Sequence, residues 1–110
     1  MARRLERGEI RLYDFAPPDK AMPVLVLTRQ ASIKYLSRVT VAPITSTIRS
    51  VASEVRLDTE DGMKGPCVVN LHNVVTVGQA AIGRRIAKLG EAKMRLVCRA
   101  IGFCLGCEGT

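Results

Sequence analysis

The chain predicts a small α+β domain, mainly β, in which a short and strongly bent sheet or barrel is capped by one C-terminal helix. Three observations carry this. Several apolar runs of four to eight residues alternate with turn residues. A single stretch, Glu91 to Leu105, has helical periodicity instead. The 110 residues suffice for one compact domain and not for two, so residues 1–110 are read as one unit.

The elements follow in order. The first residues are basic and irregular. Gly8 to Phe15 reads as a strand with Ile10 and Leu12 on one face and Arg11 on the other. Ala16-Pro17-Pro18-Asp19 stops it, because neither proline can donate to a ladder. Pro23 to Thr28 is a buried strand opened by a proline, a position where proline is tolerated. Gln30 to Ser37 is a short helix or connector. Val39 to Ile44 is a third strand, and Pro43 within it signals an edge or a bulge. Ser53 to Leu57 turns Val55 and Leu57 inward against Glu54 and Arg56. Asp58 to Gly62 is a turn, Gly65-Pro66 opens a strand from Cys67 to Leu71, and Val74 to Val77 is a short apolar strand. Ile82 to Leu89 reads as the last strand. In the helix, Met94, Val97, Cys98, Ile101, Cys104 and Leu105 form one apolar stripe.

Hydrophobic residues make up 47% of the chain, but with two Tyr, two Phe and no Trp the core must be aliphatic. Seventeen Lys and Arg against ten Asp and Glu leave a net charge of +7, which attracts polyanions, nucleic acid foremost. No apolar run reaches the ~20 residues of a membrane span, and Met1 to Arg7 has no apolar stretch after its charges. The four cysteines do not make a disulfide framework, so a cytoplasmic setting with reduced thiols is expected. Cys104-Leu105-Gly106-Cys107 lacks the second pair that a zinc site needs. It also sits at a helix end, whereas a redox pair of this spacing belongs at a helix start. Neither a metal nor a cofactor is expected.

Motifs along nearly the whole chain point to chemistry. These are Arg7-Gly8-Glu9-Ile10, Met22-Pro23-Val24-Leu25-Val26, Val41-Ala42-Pro43-Ile44-Thr45-Ser46-Thr47, Glu54-Val55, Cys67 to Asn73, and Gly83-Arg84-Arg85-Ile86. In order and spacing they resemble the MazF/PemK/Kid toxins. The resemblance implies an SH3-like β-barrel, shared with the CcdB toxins, with the C-terminal helix packed on it. It implies a toxin of a toxin–antitoxin pair that acts as a homodimer. It also implies sequence-specific, metal-independent cleavage of single-stranded RNA through attack by the 2′-hydroxyl, and a cognate antitoxin whose acidic tail blocks the RNA groove.

By the same resemblance Thr45 is the catalytic threonine, donating a hydrogen bond to a nonbridging phosphate oxygen. Read on its own residues, Thr45-Ser46-Thr47 equally suits the capping of backbone groups at a strand end. The family's arginine precedes the strand-opening proline, and Met22 stands there. Methionine carries no charge and cannot bond a phosphate. The resemblance therefore implies a chain whose cleavage is lost, or one in which a neighbouring cation, Lys20 or Arg29, stands in, or a binder that does not cut. Lys20, Arg29, Ser46, Thr47, Arg49, Arg84 and Arg85 are candidates for the RNA groove. His72 and Asn73 are candidates for reading unpaired bases. The alternative reading is a non-catalytic nucleic-acid binder or a gyrase poison of CcdB type. Charge complementarity favours an acidic partner, and the helix stripe favours a second copy of the chain.

Overall fold

The computed structural model describes residues 4–17 and 20–107. The expectations for the basic first residues and for the Pro18-Asp19 stop fall wholly or partly on residues outside that set. The elements are β1 (Glu9–Asp14), β2 (Ala21–Val26), the one-turn helix α1 (Gln30–Ile33), β3 (Arg38–Thr45), β4 (Glu54–Leu57), β5 (Cys67–Asn70), β6 (Val75–Gly78), β7 (Arg85–Lys88) and α2 (Glu91–Leu105). Single 3-10 turns cover Thr59–Asp61, Leu71–Asn73 and Gln79–Ala81.

All strand pairs are antiparallel, in the order β4-β5-β3-β2-β1-β7, with β6 added to β3. The sheet curls into a half-barrel. The curl begins at Pro43. Thr40 turns both its backbone groups toward β2, accepting from the Leu27 N–H at 2.9 Å and donating to Thr28 Oγ1 at 2.8 Å. Alternation then points Val41, Pro43 and Thr45 to the other side. On that side β6 pairs up to Val41 and β5 begins at Ile44. Proline's missing N–H therefore falls in the gap where β3 changes partners. The expectation of an edge or a bulge is corrected: β3 is the most heavily paired strand, and its register with β2 is regular at Pro43.

Period-two alternation in β2 and β3 sends side chains to two cores. Leu25, Leu27, Ala42 and Ile44 join Ile10, Val55, Leu57, Val69 and the helix residues Met94, Val97 and Ala100 inside the curl. Val24, Val26, Val39 and Val41 pack outside it with Leu5, Ile33 and Val77. α2 lies against β4 and the Leu71–Asn73 turn. Glu91 stands in its first turn, where a carboxylate suits the helix dipole. It ends at Gly106 (φ +73°): the Cys107 N–H bonds Gly102 O at 2.7 Å and the Gly106 N–H bonds Phe103 O at 3.2 Å, a left-handed glycine cap. The glycine between Cys104 and Cys107 is thus a helix terminator.

Three further expectations are corrected. The last strand spans Arg85–Lys88 alone, because Gly83 is drawn against β1: its N–H bonds Leu12 O at 2.7 Å, and a Cβ there would lie 2.9 Å from that oxygen. Leu71 leaves β5 for the 3-10 turn. On α2, Cys98 and Leu105 are exposed and Ala100 is buried in their stead, since the helix meets the sheet along a narrower stripe.

Candidate active site

A cleft of about 610 Å³ opens at the end of the half-barrel where β2 starts and β3 stops. The β2–β3 register pairs Val24 with Pro43. Two further steps set Met22 opposite Thr45, and both line the cleft with Ser46. The sequence thus brings its two principal candidates to one place through strand pairing.

Thr45 Oγ1 accepts a hydrogen bond from the Thr47 N–H at 3.2 Å. The hydroxyl does cap its own turn. That contact uses an oxygen lone pair and leaves the O–H free to donate outward. The loop beyond is fixed by Glu54, whose Oε1 accepts from the N–H groups of Arg49 and Ser50 at 3.0 Å each.

Facing this hydroxyl side is a second wall made of β7 and the 62–66 loop. Arg84 lies beside Leu12, its carbonyl accepting the Leu12 N–H at 3.0 Å, and Leu12 pairs with Pro23. Lys64 comes from the loop. That loop is docked on β7 by Gly62, which adopts φ +89° and would place a Cβ 2.8 Å from the Ala87 Cβ. It is held from behind by Lys93, whose Nζ reaches Asp61 Oδ2 at 3.2 Å and Arg56 O at 2.6 Å. The floor is apolar: Leu12, Ile44, Met63 and Ile86, with Cys67. Burial first, then the carboxylates of Asp58 and Asp61, pushes the Cys67 thiol above its ordinary pKa, so it stays protonated. The described lining contains no carboxylate or imidazole.

Of the other candidates, Lys20 is exposed two residues before Met22, and Thr47 and Arg49 lie on the Glu54-held loop just beyond the cleft. Arg29 lies past the opposite end of β2 and is not brought to the cleft. His72 and Asn73 are exposed at the far end of β5, with the His72 ring 6.4 Å from that of Phe103. Arg84 and Arg85 part company: Arg84, just before β7, lines the cleft, and Arg85, the first residue of β7, does not. Arg85 Nη1 is tied to Glu9 Oε2 at 3.3 Å, and Arg11 Nε binds the other oxygen at 3.1 Å. Lys64 had no motif to mark it; its only signal was a charge between the turn glycines Gly62 and Gly65. Among the described residues no group of three His, Cys, Asp or Glu could hold a metal ion, and no helix is long and apolar enough to cross a membrane.

Comparison with known proteins agrees with this geometry. Over 93 residues the chain is 41% identical to the Mycobacterium tuberculosis endoribonuclease MazF3, covering 84% of this chain and 90% of that one. It superposes on the M. tuberculosis toxin MazF-mt6 with a TM-score of 0.82 at 38% identity, over 89% of this chain and 96% of that one. A mycobacterial endoribonuclease solved with its cognate antitoxin shares the fold, with a TM-score of 0.84 at 24% identity over 93% and 95% of the two chains. The family model for the PemK-like, MazF-like toxins of type II toxin–antitoxin systems matches residues 6–105, and this chain belongs to that family.

Proposed function

We propose that the chain is a toxin endoribonuclease that cuts single-stranded RNA in the Thr45 cleft. The observation that carries the reading is the Thr45 hydroxyl, its acceptor side occupied by Thr47 and its proton free, in a cleft that also holds two cations. The 2′-oxygen attacks phosphorus as its proton leaves. The P–O5′ bond breaks, the 5′-oxygen takes up a proton, and the products are a 2′,3′-cyclic phosphate and a 5′-hydroxyl. Charge gathers on the nonbridging oxygens, where a fixed O–H donor and cations lower the barrier. Single-stranded RNA as substrate is supported by the names of the relatives and by the basic charge.

The working form in this reading is a cytoplasmic homodimer held by apolar side chains left exposed on the monomer, such as Leu105 and Val74. Its antagonist is a cognate antitoxin with an acidic segment, as the family and the net charge of +7 suggest.

The test is cleavage of a long single-stranded RNA with EDTA present, comparing the chain with Thr45→Ala. A fall of ~10²–10³ in rate with 5′-hydroxyl ends is expected. A folded Thr45→Ala protein that cuts equally fast dismisses the site. Light scattering at micromolar concentration checks the dimer, and a monomer there refutes it.

A further inference from the structure

We infer that Arg84 and Lys64 together form the phosphate clamp of this cleft, so that the chain cleaves RNA with methionine at position 22. The inference rests on the ribonuclease reading and adds to it the identity of the charged groups.

A phosphate passing through a pentavalent state gains negative charge and needs positive charge close by. The hydroxyl wall has none: Met22, Thr45 and Ser46 are neutral, and so is the floor. Among the described residues, the cations that line the cleft are Arg84 and Lys64, both on the opposite wall. Both are exposed, and neither is engaged in a side-chain hydrogen bond or ion pair. That distinguishes them from the cations of β1, β7 and the buried side of α2. Arg85 and Arg11 are spent on Glu9, Lys88 on Glu6, and Lys93 on Asp61 and Arg56 O.

Their placement is also fixed. Arg84 stands opposite Leu12, and Leu12 opposite Pro23, so two strand spacings, ~10 Å in all, separate the Arg84 and Pro23 backbones across the cleft. Thr45 lies one strand further, on β3, and the curl of the sheet lets Arg84 and Thr45 line the same cleft. The Arg84 backbone is set by the hydrogen bonds from the Gly83 N–H to Leu12 O and from the Leu12 N–H to Arg84 O, and by Arg85 on Glu9. Lys64 is carried by a loop that Gly62 seats on Ala87 of the same strand. Both cations are therefore positioned by β7, Arg84 as the residue just before it and Lys64 through the loop seated on it. The guanidinium suits two-point binding of phosphate oxygens, and the ammonium adds a point charge.

The test compares the full chain with Arg84→Gln, Lys64→Gln, Met22→Arg, and Met22→Arg combined with Arg84→Gln. Each is assayed for cleavage of single-stranded RNA, and for salt-dependent binding to the 2′-deoxy version of the same strand, which cannot be cut. Circular dichroism melts confirm folding. The expected result is that the unsubstituted chain cuts, that Arg84→Gln loses ~10²–10³ in rate, and that its binding slope against log salt falls by about 0.7, one contact on a single strand. Lys64→Gln lowers the slope by a similar amount with a smaller loss of rate. Met22→Arg added to Arg84→Gln recovers part of the rate. Equal rates for Arg84→Gln and the unsubstituted chain overturn the inference, as does an inert unsubstituted chain alongside an active Met22→Arg protein; in both cases the ribonuclease reading survives. If every version is folded and inert, the ribonuclease reading falls and the clamp falls with it.

Discussion

Two sets of charge lie a few ångströms apart along β1 and β7 and obey different rules. Around Glu9 the charge is buried and paired, with Arg11 Nη2 the one buried side-chain nitrogen left without a hydrogen-bond partner among the described residues. The carboxylate, 1% exposed, takes Arg11 on one oxygen and Arg85 on the other, and the Glu6 N–H bonds it at 2.9 Å. Arg11 completes the unit by donating to Gly83 O at 2.8 Å. In the cleft, Arg84 and Lys64 are exposed and have no acidic partner among the described residues. Adjacent arginines at the start of β7 thus differ: Arg85 holds the wall, and Arg84 is left open at the cleft. A buried charge must be paired to be tolerated, while an exposed one loses little by waiting for an external anion.

The largest effect comes from breaking the buried set. Glu9→Ala strands the Arg11 guanidinium inside the sheet without its counter-charge, and a loss of about 3–5 kcal/mol is expected in urea unfolding. Arg84→Gln sharpens the contrast from the other side: its stability stays within about 0.5 kcal/mol of the unsubstituted chain. Equal losses in the two variants would erase the distinction.

The joint between the sets is Gly62. Gly62→Ala meets both a left-handed backbone and a Cβ 2.8 Å from that of Ala87, so about 1–3 kcal/mol is lost. Adding Ala87→Gly removes the clash but not the backbone strain. The double variant therefore recovers part of the loss, a non-additivity of at least ~0.5 kcal/mol. Strict additivity in the cycle would mean that the loop is not seated on β7.

The sequence made some of this visible and hid the rest for a physical reason. α2 runs over the predicted Glu91–Leu105, because its signal is local: one apolar stripe, a favourable first-turn glutamate and a terminating glycine. Val55 and Leu57 point inward as alternation required. Thr45 and Met22 were legible as site candidates through family motifs, and strand register alone puts them together. Alternation put Arg11 on the face opposite Ile10 and Leu12 but could not show that it is buried there. Only the fold shows that Glu9 and Gly83 O wait for it. Lys64 was invisible because its position depends on a contact between Gly62 and Ala87, far apart in sequence. Arg84 and Arg85 could not be ranked until β7 had a register.

A smaller effect separates the thiols. Cys67 is buried in the cleft floor with its pKa raised, first by burial and then by Asp58 and Asp61, whereas Cys98 is exposed on α2. Thiolate is the reactive form, so iodoacetamide at pH 8 should alkylate Cys98 well before Cys67, with the difference lost in denaturant. The sign of the linkage follows. A thiol whose folded pKa is raised adds stability that is present below its unfolded pKa, ~8.5. That stability is lost as pH climbs through the higher folded value. Cys67→Ala should therefore flatten the decline of stability on the alkaline side. Equal alkylation of Cys67 and Cys98 in the folded chain would show that the floor is open to solvent.

The smallest effect is expected at Glu6, the exposed counterpart of Glu9. Its carboxylate meets Lys88 Nζ at 2.6 Å, and both side chains are near half exposed. The hydrogen bond from Lys88, then its charge, holds the Glu6 pKa below the ordinary value. A lowered carboxylate stabilises above its unfolded pKa and loses that contribution as pH falls through the folded one, so the pH dependence is confined to acid while the contribution itself is present at neutral pH. At neutral pH, Glu6→Gln should shift the unfolding midpoint slightly at low ionic strength and not at all near 1 M salt, where screening acts within ~3 Å. Glu9→Ala should remain as damaging in 1 M salt as without it, because ions do not reach a carboxylate buried under two arginines. A Glu9→Ala deficit that salt abolished would place Glu9 with Glu6 among the surface pairs and remove the structural ground for separating Arg85 from Arg84.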